Sequence, residues 1–180
     1  MILPDVAIDR AAAVLAANRA AGRTVALAES CTGGLVAAAL TAVAGSSDVF
    51  ETGFVTYSNA AKSRILGVDP EIFERRGAVS RDCALAMARG ALDRSDADVA
   101  VAITGIAGPG GGSQDKPVGL VIFARAWRGA EPIAHYVQRI FFQSGDRTAI
   151  RRAALLFALE LLQPEADGLA AIADASLPAP

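Results

Sequence analysis

Imidazole is nearly absent from this chain, whose 180 residues include one histidine, His135. A lone histidine in an alternating, strand-like stretch is more often structural, which argues against a Ser-His-Asp triad. Cysteine is equally sparse. Cys31 and Cys83 have neither CxxC spacing nor neighbouring histidines, so no zinc site is expected. Without an export signal no structural disulfide is expected either, and Cys83 reads as a buried thiol on a helix. No basic excess exists: 17 Lys and Arg stand against 19 Asp and Glu. That balance argues against sequence-independent contact with nucleic acid. No apolar run reaches the roughly 20 residues needed to span a bilayer. Residues 1–20 carry Asp5, Asp9 and Arg10 within a helical pattern, unlike a signal peptide, and a cytoplasmic location is expected. Aromatic residues make up 6% of the chain, whereas hydrophobic residues, many of them alanine, reach 53% with 17 glycines. Small-residue packing of helices on a sheet follows more readily than an aromatic core, and an alanine-rich surface could support self-association.

The periodicity alternates between helix and strand. Ile8 to Ala21 is helical, Thr24 to Ala28 a strand, Thr32 to Ala44 a helix, and Val49 to Tyr57 a strand with Phe50 and Phe54 on one face. Asn59 is placed to cap a short helix ending at Gly67. Further helices are expected near Pro70–Arg75 and, capped by Ser80, from Arg81 to Leu92. Asp98 to Ile103 is a buried strand, Val118–Trp127 and Ile133–Phe142 a hairpin around Gly129, and Asp146 caps a last helix. This order predicts an α/β fold with a mixed sheet, its site at a rim where the loops after strands one, two and four converge.

The segment Glu29-Ser30-Cys31-Thr32-Gly33-Gly34 sits between a short apolar run and a helical pattern. A serine at a strand-to-helix corner faces unpaired N–H groups at the positive end of a helix dipole, able to hold an oxyanion or a phosphate. A plain N-cap role is the simpler alternative for Ser30. Following the next strand, Tyr57-Ser58-Asn59-Ala60-Ala61-Lys62 offers a phenol and an amine. Lysine acts as a base only where burial or a nearby cation favours its neutral form. On a solvated helix face it would do nothing of the kind. The residues Thr104-Gly105-Ile106-Ala107-Gly108 open a glycine-rich loop that fits neither the Walker nor the Rossmann pattern, yet whose N–H groups could form an anion nest. Arg147 falls in the first turn of the last helix, where a substrate phosphate could be held, and Arg151 shares its face. The residues point first to a serine hydrolase that uses neither a metal nor a catalytic histidine. A nucleotide-binding module without turnover, or an interaction domain, are the other readings.

Five segments occur in an order that resembles one family: Glu29–Gly34, Thr56–Lys62, Gly77–Ser80, Thr104–Pro109 with Lys116–Gly119, and Gly145–Arg147 with Ile150-Arg151. Across roughly residues 8–162 the chain is similar to the CinA (competence/damage-inducible) C-terminal domain family, the nicotinamide-nucleotide amidases. The resemblance implies a three-layer α/β/α sandwich forming one amidase domain over residues 1–163, while residues 164–180, rich in Ala, Pro and Asp, read as a poorly ordered tail. It implies deamidation of nicotinamide mononucleotide to nicotinic acid mononucleotide and ammonia, in pyridine nucleotide recycling, without a cofactor or metal. Ser30 would be the nucleophile, with Lys62 and Tyr57 as catalytic partners. The oxyanion and the substrate would meet Cys31, Thr32, Gly33, Gly34, Asn59, Thr104, Gly105, Ile106, Ala107, Gly108 and Arg147. The expected partner is a small nucleotide, with no direct nucleic acid and no membrane.

Overall fold

The computed structural model describes residues 3–128, 134–142, 146–164 and 166. Five strands form one sheet: β1 (Val25–Glu29), β2 (Phe50–Val55), β3 (Val99–Gly105), β4 (Leu120–Trp127) and β5 (Ala134–Phe141). Their spatial order is β2-β1-β3-β4-β5. The first three run parallel, and β4 and β5 are antiparallel to their neighbours, so the sheet is mixed as expected.

Strand side chains alternate between faces, and each face builds its own core. Val25, Leu27, Val101, Ile103, Val121 and Phe123 pack with residues of α1 (Asp5–Ala20), α2 (Leu35–Thr41) and α6 (Arg147–Leu161). Ala26, Ala28, Ala100, Ala102, Ile122 and Ala124 face α3 (Asn59–Leu66), α4 (Pro70–Arg75) and α5 (Arg81–Asp93). The second face is lined largely by alanine, which lets α5 lie close to the strands. Three layers result, α/β/α. Cys83 is a buried free thiol on α5.

Several expectations need correction. The helix after β1 begins at Leu35, not Thr32, because Gly33 and Gly34 adopt left-handed backbone (φ 61° and 92°) and make a turn first. Ser58, not Asn59, caps α3: its side chain accepts from the Ala61 N–H at 3.1 Å. Phe50 and Phe54 lie on opposite faces, since a register shift between Val25 and Ala26 adds a residue to β2 and inverts the alternation. The loop after the fourth strand lies at the far rim, because β4 is antiparallel; the loop between β3 and β4 joins the site instead. The expected hairpin turn at Gly129 falls outside the described residues, as does the 164–180 tail apart from Pro164 and Ala166. Among the described residues no helix is long and apolar enough to cross a membrane.

Gly90 sets how closely α5 approaches α3. A Cβ there would stand 2.0 Å from the Leu66 carbonyl oxygen, at the end of α3. Alanine normally favours a helix over glycine by about 1 kcal/mol, but this contact must be relieved by moving α3. We expect Gly90→Ala to lose about 1–3 kcal/mol of stability, read from urea denaturation midpoints.

Candidate active site

Ser30 follows the last residue of β1, the strand flanked by β2 on one side and β3 on the other. The ladder continues past the strand ends: Ser30 N–H donates to the Ile103 carbonyl, and Thr56 N–H donates to the Glu29 carbonyl, both at 2.9 Å. The backbone on either side of Ser30 is thus pinned to both neighbours. Its side chain is 8% exposed.

Lys62 arrives from the first turns of α3. Ser58 caps that helix and Gly67 ends it, so its register is set at both ends. The side chain is 1% exposed, and Nζ lies 3.0 Å from Ser30 Oγ. The amine also donates to the Thr56 carbonyl at 2.9 Å, with the Tyr57 carbonyl at 3.5 Å. Burial holds the Lys62 pKa below the ordinary 10.5, by disfavouring the charged form. Thiolates at Cys83 and Cys31 would oppose that shift. Burial, however, pushes the Cys31 thiol up to about 12 and the Cys83 thiol to about 11, so both stay neutral near pH 7. The pocket therefore lets the amine beside the serine hydroxyl lose its proton more readily than a lysine in water.

The turn between β1 and α2 is held by opposite charges. Glu29, a buried carboxylate at the end of β1, accepts from the N–H groups of Gly34 and Ala37 at 2.9 Å and of Val36 at 3.3 Å. The first-turn donors of α2 are therefore satisfied within the chain. Gly33 N–H is also engaged, donating to the Ser30 carbonyl at 3.0 Å. Among the described residues the Thr32 N–H has no acceptor, and the Cys31 N–H meets only its own sulfur. Thr32 and Thr56 carry buried hydroxyls whose oxygens likewise meet no partner there. From the other side, Arg151 of α6 donates through Nε to the Cys31 carbonyl (3.1 Å) and through a terminal nitrogen to the Thr32 carbonyl (2.7 Å).

Other residues singled out in the sequence reach the same rim in different ways. The Tyr57 phenol is not at the Ser30–Lys62 pair. It is 60% exposed and accepts from Arg147 at 2.7 Å. Arg147 also donates to the Gly108 carbonyl at 2.8 Å, so one guanidinium joins the loops that follow β2 and β3. Asn59 is exposed at the start of α3. Thr104 is buried, and its hydroxyl donates to the Ala78 carbonyl at 2.8 Å, tying the end of β3 to the turn before α5. Gly105 closes β3 where a Cβ would stand 2.8 Å from the Leu120 carbonyl. Ile106 cannot serve an anion nest: its N–H donates to Leu120 and its carbonyl accepts from Gly119, both at 2.8 Å. Ala107 and Gly108 continue the loop as buried residues. His135 pairs with Ala126 in a row level with the start of β1, at the other end of the sheet from Ser30. Among the described residues, no group of three or more His, Cys, Asp or Glu side chains is placed to hold a metal ion.

Glu29, Thr56 and Arg151 were not singled out as site residues by the sequence. A carboxylate at the end of an otherwise apolar strand was the available signal for Glu29. Arg151 lies one helical turn beyond Arg147.

The geometry has close counterparts. A nicotinamide-nucleotide amidohydrolase, PncC, from Escherichia coli K12 is 53% identical over 146 residues, covering 81% of this chain and 86% of its own length. A putative competence-damage inducible protein from Symbiobacterium thermophilum is 51% identical over 79% of this chain, but the match spans only 34% of that longer protein. The crystal structure of the competence/damage inducible protein CihA from Agrobacterium tumefaciens superimposes with a TM-score of 0.85 at 48% identity, covering 90% of this chain and 96% of that one. The model of the CinA C-terminal domain matches residues 8–166, and this chain belongs to that family.

Proposed function

We propose that this protein hydrolyses the carboxamide of nicotinamide mononucleotide, releasing nicotinic acid mononucleotide and ammonia, with Ser30 as nucleophile and Lys62 as its base. The observation that carries the reading is a buried amine 3.0 Å from a buried serine hydroxyl. Similarity to the E. coli amidohydrolase over most of both chains supports the substrate.

On this reading Ser30 Oγ attacks the carboxamide carbon while its proton passes to Lys62 Nζ. Nζ is already within hydrogen-bond distance, so the transfer needs no relay. The Tyr57 phenol is bonded to Arg147, and the Tyr57 carbonyl is the part that faces the amine. The N–H groups of Cys31 and Thr32 are the candidate donors to the tetrahedral oxyanion. The ammonium of Lys62 then returns its proton to the departing nitrogen, which leaves as ammonia. Water adds to the acyl-serine while Lys62 takes one of its protons; the acyl–oxygen bond then breaks, Lys62 returns that proton to Ser30 Oγ, and the carboxylic acid loses its remaining proton to solvent as the carboxylate. Arg147, at the N-terminus of α6, is suited to the ribose phosphate; binding would exchange its Tyr57 and Gly108 contacts for charged oxygens.

Ammonia release from nicotinamide mononucleotide, against heat-inactivated protein, tests the activity. Ser30→Ala is expected to lower kcat by roughly 10⁴- to 10⁶-fold, whereas Cys31→Ala retains turnover because its thiol is kept protonated. Full activity in Ser30→Ala would overturn the mechanism. A catalytically silent native chain would leave only nucleotide binding.

The amine also governs pH dependence. Activity should rise with pH as Lys62 loses its proton, with a midpoint below 10.5. Stability follows with a definite sign. Between the lowered native pKa and the unfolded value, the native state binds fewer protons, so native stability rises with pH across that window. Below the lowered pKa the cost of burying the ammonium is present in full. Urea denaturation at several pH values should show this rise for the native chain and a smaller one for Lys62→Met.

A further inference from the structure

Two bonds of Arg151 end on the carbonyls of Cys31 and Thr32, directly after the serine. The Cys31 carbonyl and the Thr32 N–H belong to one peptide unit. That unit is planar and trans, so its C=O and N–H point in opposite directions. Fixing the carbonyl against a guanidinium therefore fixes the direction of the N–H on the other side. A cation on the carbonyl oxygen also draws electron density from the amide and makes the N–H a better donor. We infer that Arg151 is a positioning residue that aims and strengthens the Thr32 N–H as an oxyanion donor, acting through the peptide without meeting the substrate. The inference rests on the proposed role of Ser30.

The surroundings fit this role. The Thr32 N–H has no acceptor among the described residues, whereas the N–H groups of Gly33, Gly34, Val36 and Ala37 are all engaged with Ser30 or Glu29. The Thr32 carbonyl, Arg151's second contact, belongs to the peptide that contains the Gly33 N–H. That peptide is held at both ends, by Arg151 and by the Ser30 carbonyl. Gly33 provides the room: a Cβ on it would stand 3.3 Å from an Arg151 terminal nitrogen. Lysine could not make the same pair of contacts, because its single ammonium lacks the planar fork.

Steady-state ammonia release from nicotinamide mononucleotide is measured for Arg151→Met and Arg151→Lys, with Ser30→Ala alongside and circular dichroism to establish folding. Removing an oxyanion donor outright costs about 10²- to 10³-fold in kcat. Misaiming one in Arg151→Met should cost about 10- to 100-fold, with KM changed less than about threefold, because the substrate itself is not touched. Arg151→Lys should recover only part of that loss. A folded variant with native kcat, or a loss entirely in KM, would overturn the inference. If Arg151→Met does not fold, the same split in Arg151→Lys decides the matter. If Ser30→Ala loses turnover while both Arg151 variants keep it, only this inference fails; if Ser30→Ala keeps turnover, the reading beneath it fails.

Discussion

A lysine side chain sealed from water at 1% exposure, with a serine oxygen 3.0 Å from its nitrogen, is the constraint around which the rest of the site is arranged. In water the amine would be protonated at neutral pH and useless as a base. Burial lowers the pKa from its ordinary 10.5 and so eases loss of the proton, and a carbonyl from Thr56 holds the nitrogen without supplying a negative charge that would oppose that shift. A carboxylate in place of that carbonyl would favour the ammonium. Glu29, the carboxylate next to Ser30 in sequence, instead accepts from the N–H groups of α2.

Keeping such a pair in register requires rigid support, since an uncompensated shift of about 1 Å can cost 10²-fold in rate. Ser30 has the ladders that join β1 to β2 and to β3, and Lys62 has a helix capped at both ends and packed on α5. The third support is α6. Arg151 holds the turn after β1, and Arg147 holds the loops after β2 and β3. One helix thus gathers all three loops at the carboxyl ends of the parallel strands. That rim is where open α/β sheets place their ligands.

Much of this was legible because local chemistry and global fold agree. Ser80, Asp146 and Gly67 mark helix ends where the structure has them, and the apolar runs of β1 and β3 are buried on both faces. The serine and the lysine could be placed on one rim from strand order alone, whereas the glycine-rich loop after β3 takes the place expected of the loop after the fourth strand. What escaped depends on contacts between distant segments. Phe50 and Phe54 have the spacing of one face, and only the added residue in β2 separates them. Thr32 and Gly33 fit a helix start until Glu29, reaching over from β1, claims the donors that such a start would offer. Tyr57 lies close in sequence to Lys62, yet β2 is an edge strand and the phenol turns outward to Arg147, 90 residues later. Spacing cannot reveal a partner that far along the chain.

The same burial also explains why a cysteine next to the proposed nucleophile need not compete with it. A thiol reacts as thiolate, which is charged, and a dry pocket penalises it; Cys31 is accordingly pushed up to about 12. A hydroxyl and a deprotonated amine are both neutral, so on the proposed route the environment that disables Cys31 also favours the form of Lys62 that can act as a base. Charge appears only as the bond forms, positive on Nζ and negative on the substrate oxygen. Each then needs a fixed dipole already in place. Thr56 and Tyr57 direct carbonyls at the nitrogen. Opposite them, on the proposed route, the N–H groups of Cys31 and Thr32 receive the oxygen, so the site is matched to the separated charges of the transition state more closely than to the neutral reactants.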